Sequence, residues 1–303
     1  MHDPIDVSVA VCTHRRPALL AACLASLEGQ DNPFGRRDIL VIDNDPDRGA
    51  EPVTRAAAPA FRRRGVELRY EHEPRPGVAH ARNRSLVAAR HPIIAYIDDD
   101  ERAAPGWLAR LIAPFHEQGE AIDIVAGEVE PDFADVEPPD WLTGDVVQLL
   151  SCRWRWSDQP RLLRPQEWFG EGNCAFRRAL LADRGFNPAL GRRAESLMTN
   201  EGIVFSKLRQ EGATAWWEPR AVTFHHVHPE RLTRRWMLRR QFYQGYSDVI
   251  ANREIGRDYQ IPSVPMDLQA LGALDVEGMP NTDFPSLLKV YYVAGYAFGR
   301  HML

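Results

Sequence analysis

The sequence predicts an α/β protein with a mostly parallel central sheet that is flanked by helices. Three observations support this fold class. Short apolar segments alternate with segments of helical periodicity through the first third of the chain, and this alternation is typical of right-handed βαβ units. The apolar segments are uninterrupted, as in strands that are covered on both faces. Polar residues directly follow three of them, at the strand ends where parallel sheets collect ligands.

The first predicted unit is a strand followed by a helix. Residues 7–12 form a short run rich in strand formers, and a polar turn follows at 13–16. Pro17 is favourable in the first turn of a helix. The next three leucines, Leu20, Leu24 and Leu27, recur at the spacing of one helix face and therefore predict a helix.

The next elements continue the alternation as far as residue 101. We expect a strand at 39–42, a helix near 54–64, a strand at 66–70, a helix at about 79–90 and a strand at 93–97. Polar clusters follow the strands at 13–16, 43–45 and 98–101. Because the carboxyl ends of parallel strands meet at one edge of the sheet, these clusters are predicted to converge.

The second half of the chain is less regular. Residues 131–141 are rich in Pro and Asp and are expected to form a loop. The remaining predicted elements are a turn entering a strand at 170–176, a helix at 203–208, short strands at 214–217 and 221–225, and a long helix at 231–250.

Composition excludes some classes of protein. The 303 residues include 37 Lys and Arg against 42 Asp and Glu, which gives a net charge of −5. We therefore expect no nucleic-acid partner, because such binding relies on a basic excess. The four cysteines form no C-x-x-C pair, as is usual for reduced, cytoplasmic proteins. No signal peptide and no spanning segment is recognised, so a cytoplasmic location is expected.

The acidic run Asp98 to Glu101 is the strongest candidate for chemistry. Adjacent carboxylates repel one another unless a cation or basic side chains lie among them. Oxygen ligands of this kind are suited to Mg²⁺ or Mn²⁺, although a solvated turn would show the same residues. Glycine-rich phosphate loops are absent, so Arg16 and Arg82 are the candidate phosphate donors.

Several motifs occur in a familiar order. They are Val-Ala-Val-Cys-Thr-His-Arg-Arg-Pro at 9–17, Val-Ile-Asp-Asn-Asp at 41–45, Gly-Val-Ala-His-Ala-Arg-Asn at 77–83, Ile-Asp-Asp-Asp-Glu at 97–101, Gly-Glu-Gly-Asn at 170–173, Asn-Glu at 200–201 and Pro-Arg-Ala-Val-Thr-Phe-His at 219–225. The ordered set resembles the family 2 glycosyltransferases over roughly residues 7–240. The resemblance implies a GT-A fold with a Rossmann-like sheet, and inverting transfer from a nucleotide-diphosphate sugar, with UDP-sugar as the default donor.

The resemblance also implies roles for individual residues. Residues that match the family's nucleotide-sugar site are Thr13, Arg16, Asp43, Arg82, Asp98 and Asp99. Asp98 to Asp100 match the D-x-D motif, in which Asp98 lies nearer the ribose and Asp100 binds Mn²⁺ or Mg²⁺. His225 matches a histidine near the metal and the diphosphate. Gly172 and Asn173 match a motif beside the acceptor, a saccharide or lipid-linked saccharide.

Glu201 falls where the family has its catalytic base. A carboxylate opposite the leaving group can take the proton of the acceptor hydroxyl. The family commonly has a second acid where this chain has Asn200, so Glu195 is the fallback candidate. A Glu in the first turn of a helix also stabilises that helix, which is the alternative role for Glu201.

A different class of function is also considered. His225, His226 and His228 cluster after a strand, and with the acidic run they could form a two-metal phosphohydrolase. No spaced His and Asp ligand set accompanies the first strands, which counts against it. A carbohydrate-binding module without activity is weaker still, because both a metal motif and a base candidate are present.

The last predicted region is a helical extension. We expect a catalytic domain at 1–230, divided into a nucleotide half at 1–127 and an acceptor half at 128–230, and an extension at 231–303. The helix after Arg231 carries four arginines beside aromatic residues, which suits either an anionic membrane surface or packing on the domain. The segment 287–303 leaves docking, a homo-oligomer contact and peripheral membrane contact open. The resemblance suggests a role in bacterial polysaccharide assembly.

Overall fold

The structure is a computed structural model that describes residues 3–134, 136–191, 197, 202–257 and 274–302. The described residues contain nine strands in one sheet. The strands are β1 (Val7–Thr13), β2 (Arg37–Asp43), β3 (Glu67–His72), β4 (Ile93–Ile97), β5 (Glu101–Ala103), β6 (Ile124–Asp132), β7 (Arg161–Leu162), β8 (Asn173–Arg177) and β9 (Ala215–His226). The helices are α1 (Pro17–Glu28), α2 (Ala50–Arg63), α3 (Val78–Ala88), α4 (Trp107–Gln118), α5 (Ile203–Gln210), α6 (Arg234–Glu254) and α7 (Phe284–Met302).

The first four predicted strands form the parallel part of the sheet. β1 pairs with β2 along its whole length and with β4 on its other side, and β3 pairs with β2. Their carboxyl ends therefore lie at one edge, and the polar clusters after β1, β2 and β4 come together as predicted. The α/β class is confirmed.

The second half adds antiparallel strands to this mostly parallel sheet. β8 runs antiparallel to both β4 and β6, whereas β9 runs parallel to β6. β5 is antiparallel to β9 and places Glu101 opposite His225. This pairing joins the end of the acidic run to the histidine strand, which are far apart in the chain.

β9 is one strand where two short strands were predicted. The register between β6 and β9 shifts between Gly127 and Glu128, so a bulge absorbs the intervening residues and the strand continues. A Cβ at Gly127 would lie 2.2 Å from the carbonyl oxygen of Ala221. Only glycine fits this close approach.

Four elements were not predicted from the sequence: β5, α4, β6 and β7. Helix α4 carries a continuous buried stripe, formed by Trp107, Leu108, Leu111, Ile112 and Phe115. The expected loop at 131–141 begins only after β6 ends at Asp132.

Helices cover both faces of the sheet. On one face α1 and α4 bury their apolar residues against β1 and its neighbours. On the other face an aromatic cluster surrounds β4 and β8, and it includes Tyr96, Phe176, Phe186, Phe205 and Trp217. Removing one such ring costs about 3–5 kcal/mol of unfolding free energy, so this packing fixes the strand ends that carry the polar clusters.

The two C-terminal helices pack on each other at very close range. A Cβ at Gly295 would lie 1.8 Å from the carbonyl oxygen of Phe242, and one at Gly245 would lie 2.1 Å from that of Tyr292. α7 therefore docks on α6, as one of the alternatives for that segment predicted, and the oligomer and membrane alternatives stay predictions. No described helix has the length and apolar character that crossing a membrane would require.

The four arginines predicted on α6 divide into two pairs: Arg235 and Arg239 are exposed, whereas Arg234 and Arg240 are buried. The helix begins at Arg234, because Thr233 accepts a hydrogen bond from the backbone N–H of Trp236 and caps it. Arg234 and Arg240 are buried, and Arg234 donates to the carbonyl oxygens of Val276 and Met279. The segment that enters α7 covers Arg234, which the helical period alone could not reveal.

Candidate active site

A cavity of about 1020 Å³ opens at the carboxyl edge of the parallel strands. One end is formed by the turn after β1, the start of α3 and the acidic run after β4. The other end is formed by the turn at 144–150 and by α6 and α7. The converging polar clusters thus face one shared cavity.

The acidic run is held in place by the turn after β1. Thr13 donates from Oγ1 to Oδ2 of Asp99 at 2.7 Å, and Arg16 donates from Nη1 to Oδ1 of Asp99 at 3.0 Å. Both Asp99 and Asp100 are buried, whereas the side chain of Asp98 is 41% exposed and faces the cavity. Burial, and then the negative charge of Asp100, raise the pKa of Asp99.

Asp100 is surrounded by basic side chains. Its Oδ2 accepts a hydrogen bond from Nη1 of Arg16 at 2.8 Å, and it lies 3.5 Å from both Nη2 of Arg231 and Nε2 of His225. Burial by itself would raise the pKa of Asp100, but these basic neighbours outweigh it and hold the pKa well below the usual value. Asp100 is therefore an ionised carboxylate in a buried, basic setting.

His225 is oriented by contacts on both of its ring nitrogens. Nδ1 lies 3.2 Å from Sγ of Cys152, and Nε2 lies 3.1 Å from Nη1 of Arg231. Because arginine has only donors, Nε2 must accept this hydrogen bond. The ring proton is then on Nδ1, which donates to the sulfur of Cys152. The lone pair of Nε2 consequently points towards the guanidinium of Arg231, which also lies beside Asp100.

Arg82 lines the cavity although it is almost fully buried. Its guanidinium contacts Oδ1 of Asp98 at 3.4 Å and lies 5.5 Å above the ring of Tyr96. It also lies 3.9 Å from Oε2 of Glu171. Arg82 therefore links two carboxylates that line the cavity.

Asp43 does not line the cavity. Its side chain is fully buried and accepts hydrogen bonds from the backbone N–H groups of Asp45 and Ala50 and from the hydroxyl of Tyr70. The neighbouring Asn44 lines the cavity instead. In this structure Asp43 fixes the turn between β2 and α2.

Gly172 and Asn173 occupy two different environments. Gly172 lines the cavity, and a Cβ there would lie 2.5 Å from Oε1 of Glu101 and 2.7 Å from Oδ2 of Asp98. Asn173 is fully buried, and its side chain hydrogen-bonds three partners inside the fold. Its side chain is therefore not presented to a ligand in the cavity.

The predicted base and its alternative lie outside the described residues. The predicted base is Glu201 and its alternative is Glu195, and the neighbouring Asn200 also falls outside the described residues. Among the described residues, Glu171 is a carboxylate that lines the middle of the cavity.

Sequence reasoning missed three further features of the cavity. Arg231 was seen only as the start of a helix, and Cys152 only as a reduced cysteine. Trp154 and Trp168 line the cavity with ring centroids 6.4 Å apart, and Trp168 is 58% exposed. In the sequence, the available signal for this pair was that Trp168 stands just before the Gly-Glu-Gly-Asn motif at 170–173.

The residues present are compatible with a bound divalent cation at one point. In the part of the chain that the structure describes, no group of three or more His, Cys, Asp or Glu side chains is arranged to hold a metal ion. Oδ2 of Asp100 and Nε2 of His225 nevertheless lie 3.5 Å apart. Both atoms face the same position. A guanidinium cation, that of Arg231, contacts both.

The greater part of the sequence matches a known family of enzymes. Residues 8–185, more than half of the chain, match the family model described as glycosyl transferase family 2. The chain belongs to this family. As a family 2 glycosyltransferase it is a transferase enzyme, and the resemblance seen in the ordered motifs is confirmed. The phosphohydrolase alternative is not supported.

Characterised relatives of this glycosyltransferase are consistent with the assignment. It is 28% identical over 250 residues to the succinoglycan biosynthesis protein ExoM of Rhizobium meliloti, an alignment that covers 80% of this chain and 74% of that protein. It is 24% identical to the glucosyl-dolichyl phosphate glucuronosyltransferase of Haloferax volcanii, over 56% of this chain and 54% of that protein.

A solved structure shares the fold of this glycosyltransferase. The mannosyltransferase PcManGT from Pyrobaculum calidifontis, in complex with GDP-Man and Mn²⁺, superposes with a TM-score of 0.63. The match covers 99% of this chain and 88% of that protein at 20% identity. This likeness establishes the fold alone.

Proposed function

We propose that this glycosyltransferase moves a sugar from a nucleotide-diphosphate donor to a saccharide or lipid-linked saccharide acceptor, with inversion at the anomeric carbon. The observation that carries the proposal is the convergence of the β1 turn, the acidic run and His225 with Arg231 at one end of a single cavity. The cavity is large enough for both substrates, since typical ligand pockets measure about 300–1,000 Å³.

The donor nucleotide is proposed to bind at the β1 end of the cavity. Thr13 and Arg16 line this end, Asp98 exposes a carboxylate to it, and Arg82 fixes that carboxylate. Asp99 acts indirectly, because it holds Thr13 and Arg16 in place. Asn44 lines the cavity where Asp43 was expected to bind the nucleotide. Asp43 is therefore proposed to act by shaping the turn after β2.

Asp100 and His225 would hold the divalent cation. A bound cation would neutralise the charge that develops on the departing diphosphate. The pairing of a carboxylate oxygen with an imidazole nitrogen suits Mn²⁺ better than Mg²⁺, which prefers oxygen ligands. Cys152 supports the ligand by holding the proton of His225 on Nδ1.

The acceptor is proposed to bind next to the donor, where Gly172, Trp154 and Trp168 line the cavity. Gly172 leaves room beside Asp98, and Trp154 and Trp168 present aromatic surfaces that a sugar ring can stack against. Glu201 is proposed as the base that takes the proton of the acceptor hydroxyl. Displacement by the activated hydroxyl, with no enzyme-bound intermediate, gives inversion.

Polysaccharide assembly is the proposed setting. ExoM, the relative covered over most of its length, is a succinoglycan biosynthesis protein. The proposed location is the cytoplasm. An acceptor attached to a lipid would bring the enzyme to the inner face of the cytoplasmic membrane through its substrate.

The donor is identified by a binding screen. Thermal unfolding is measured with UDP, GDP, dTDP and CMP, each with and without Mn²⁺, because a ligand that binds the native state raises the unfolding midpoint. We expect one nucleoside diphosphate to stabilise the protein, and more strongly with Mn²⁺. If none of the four shifts the midpoint, the donor site is wrongly assigned.

The base is identified by paired substitutions. Glu201→Gln keeps the shape of the side chain but removes the proton acceptor. We expect donor affinity within a few-fold of wild type and transfer slower by about 10²-fold or more. Normal transfer in Glu201→Gln together with slow transfer in Glu195→Gln would move the base to residue 195.

A further inference from the structure

The guanidinium of Arg231 occupies the position between the two proposed metal ligands. Nη1 contacts Nε2 of His225 at 3.1 Å and Nη2 lies 3.5 Å from Oδ2 of Asp100. Arg231 is 4% exposed. One positive group thus bridges the acceptor atoms that a divalent cation would need.

We propose that Arg231 serves as a built-in cation at the metal position of the substrate-free enzyme, and that metal binding displaces it. The inference rests on the proposed donor and metal sites. It assigns to Arg231 a positioning role in donor binding, a role that the family match over residues 8–185 does not reach.

The electrostatics of the acidic run explain why a resident cation is needed. Asp99, Asp100 and Glu101 are consecutive and buried, and adjacent buried carboxylates repel one another. Arg16 neutralises part of this charge but has Asp99 as its second partner. Arg231 is the guanidinium that contacts His225 as well as Asp100. Losing it without replacement would leave a buried carboxylate with less compensating charge.

A displaced Arg231 would still face the substrate. Arg231 lines the cavity, and arginine is suited to binding phosphate through its planar donors. When a cation takes over Asp100 and His225, the released guanidinium can pair with the donor diphosphate. The cation and the diphosphate would then arrive together, because each makes room for the other.

The proposal predicts two effects of opposite sign in Arg231→Gln. Without nucleotide, the variant should bind Mn²⁺ at least fivefold more tightly than wild type, because no guanidinium competes for the ligands. In the presence of Mn²⁺, it should bind the nucleoside diphosphate found in the donor screen at least fivefold more weakly. A purely structural role would weaken both interactions.

Mn²⁺ binding is followed by the electron paramagnetic resonance signal of the free ion, and nucleotide binding by calorimetry. Arg240→Gln is the matched control, since it removes one positive charge from the same cavity. We expect its Mn²⁺ affinity to stay within twofold of wild type. Equal tightening in both variants would mean general charge repulsion, and unchanged or weaker Mn²⁺ binding in Arg231→Gln would overturn the proposal.

A second measurement uses the wild-type protein, in case Arg231→Gln does not fold. Arg231 lies 5.9 Å from the ring centre of Trp236. Displacement of the guanidinium should change tryptophan fluorescence on addition of Mn²⁺ with the diphosphate, and this change should be absent in Trp236→Phe. An identical change in both proteins would contradict the displacement.

The Mn²⁺ titration needs neither a sugar donor nor an acceptor. Tighter Mn²⁺ binding in Arg231→Gln with no response to any nucleotide would support the competition at Asp100 while the donor assignment fails. Normal nucleotide binding with unchanged Mn²⁺ affinity would support the donor site and refute the competition. The failure of one proposal is therefore distinguished from the failure of the other.

Discussion

Replacing Asn173 with Ala tests whether this side chain supports the fold or binds the acceptor. Its Oδ1 accepts from Nε1 of Trp107 at 2.8 Å, and its Nδ2 donates to the carbonyl oxygens of Glu128 and Ala221 at 2.9 and 2.8 Å. These contacts tie α4, β6 and β9 to β8. The side chain is 0% exposed, so water does not readily replace it.

The expected loss of stability follows from these three contacts. Asn173→Ala leaves one N–H and two carbonyl groups without their partner, at about 1–3 kcal/mol each. We expect the free energy of unfolding to fall by about 4 kcal/mol, a large part of the roughly 5–15 kcal/mol typical of a native protein. Urea unfolding followed by circular dichroism measures this change.

A partly exposed asparagine provides the control. Asn187 hydrogen-bonds Glu254 and the backbone of Ala189, and Asn187→Ala should cost less than about 1 kcal/mol because water can replace these contacts. If Asn173→Ala unfolds like wild type but has a raised KM for the acceptor, the structural argument is refuted and the acceptor role inferred from the motif is correct.

Three further substitutions test other parts of the structure. Gly172→Ala should weaken binding of the donor nucleotide by about tenfold or more, equivalent to ~1.4 kcal/mol. The reason is that its Cβ would lie within 2.5–2.9 Å of two carboxylate side chains. An unchanged affinity in a calorimetric titration would contradict this prediction. Gly295→Ala should lower the unfolding midpoint, since overpacking costs about 1–3 kcal/mol and its Cβ would meet backbone at 1.8 Å, whereas Gly29→Ala, with nothing within 4 Å, should change it little. The paired hydrogen bonds from Arg161 lower the pKa of Glu167 to about 2; Glu167 therefore stabilises the fold at neutral pH, and this contribution is lost as pH falls from about 4.5 towards 2. At pH 7 the free energy of unfolding of Glu167→Gln should be about 2 kcal/mol lower than that of wild type. On acidification the variant should lose less stability than wild type. If stability falls in parallel with pH in the two proteins, the ion pair contributes nothing.

The sequence predicted the parts of the fold that depend on local pattern. β1 to β4 and their helices follow from apolar runs and helical spacing, and their shared edge follows from parallel pairing. The convergence of Thr13, Arg16 and the acidic run follows from the same rule. These elements carry their information in neighbouring residues.

The remaining features depend on contacts between distant segments. β5 is only three residues long, and its pairing with β9 decides that Glu101 faces His225. The hydrogen bonds of Asn173 and the bridge made by Arg231 depend on strand register and on chain turns that periodicity does not encode. Motif matching placed Asn173 beside the acceptor because it compares residue types and not side-chain directions.

The close contact between α6 and α7 has a consequence for the synthesis of the enzyme. Pro285, Leu288, Lys289 and Tyr292 of α7 form part of the cavity wall, opposite residues such as Thr13 near the start of the chain. A growing chain can pair β1 to β4 before α7 is made, since these four strands all lie before residue 98. The binding cavity is completed only after α7 has left the ribosome and docked on α6, so a nascent chain that stalls before this point presents its carboxylates and arginines to solvent without a closed site.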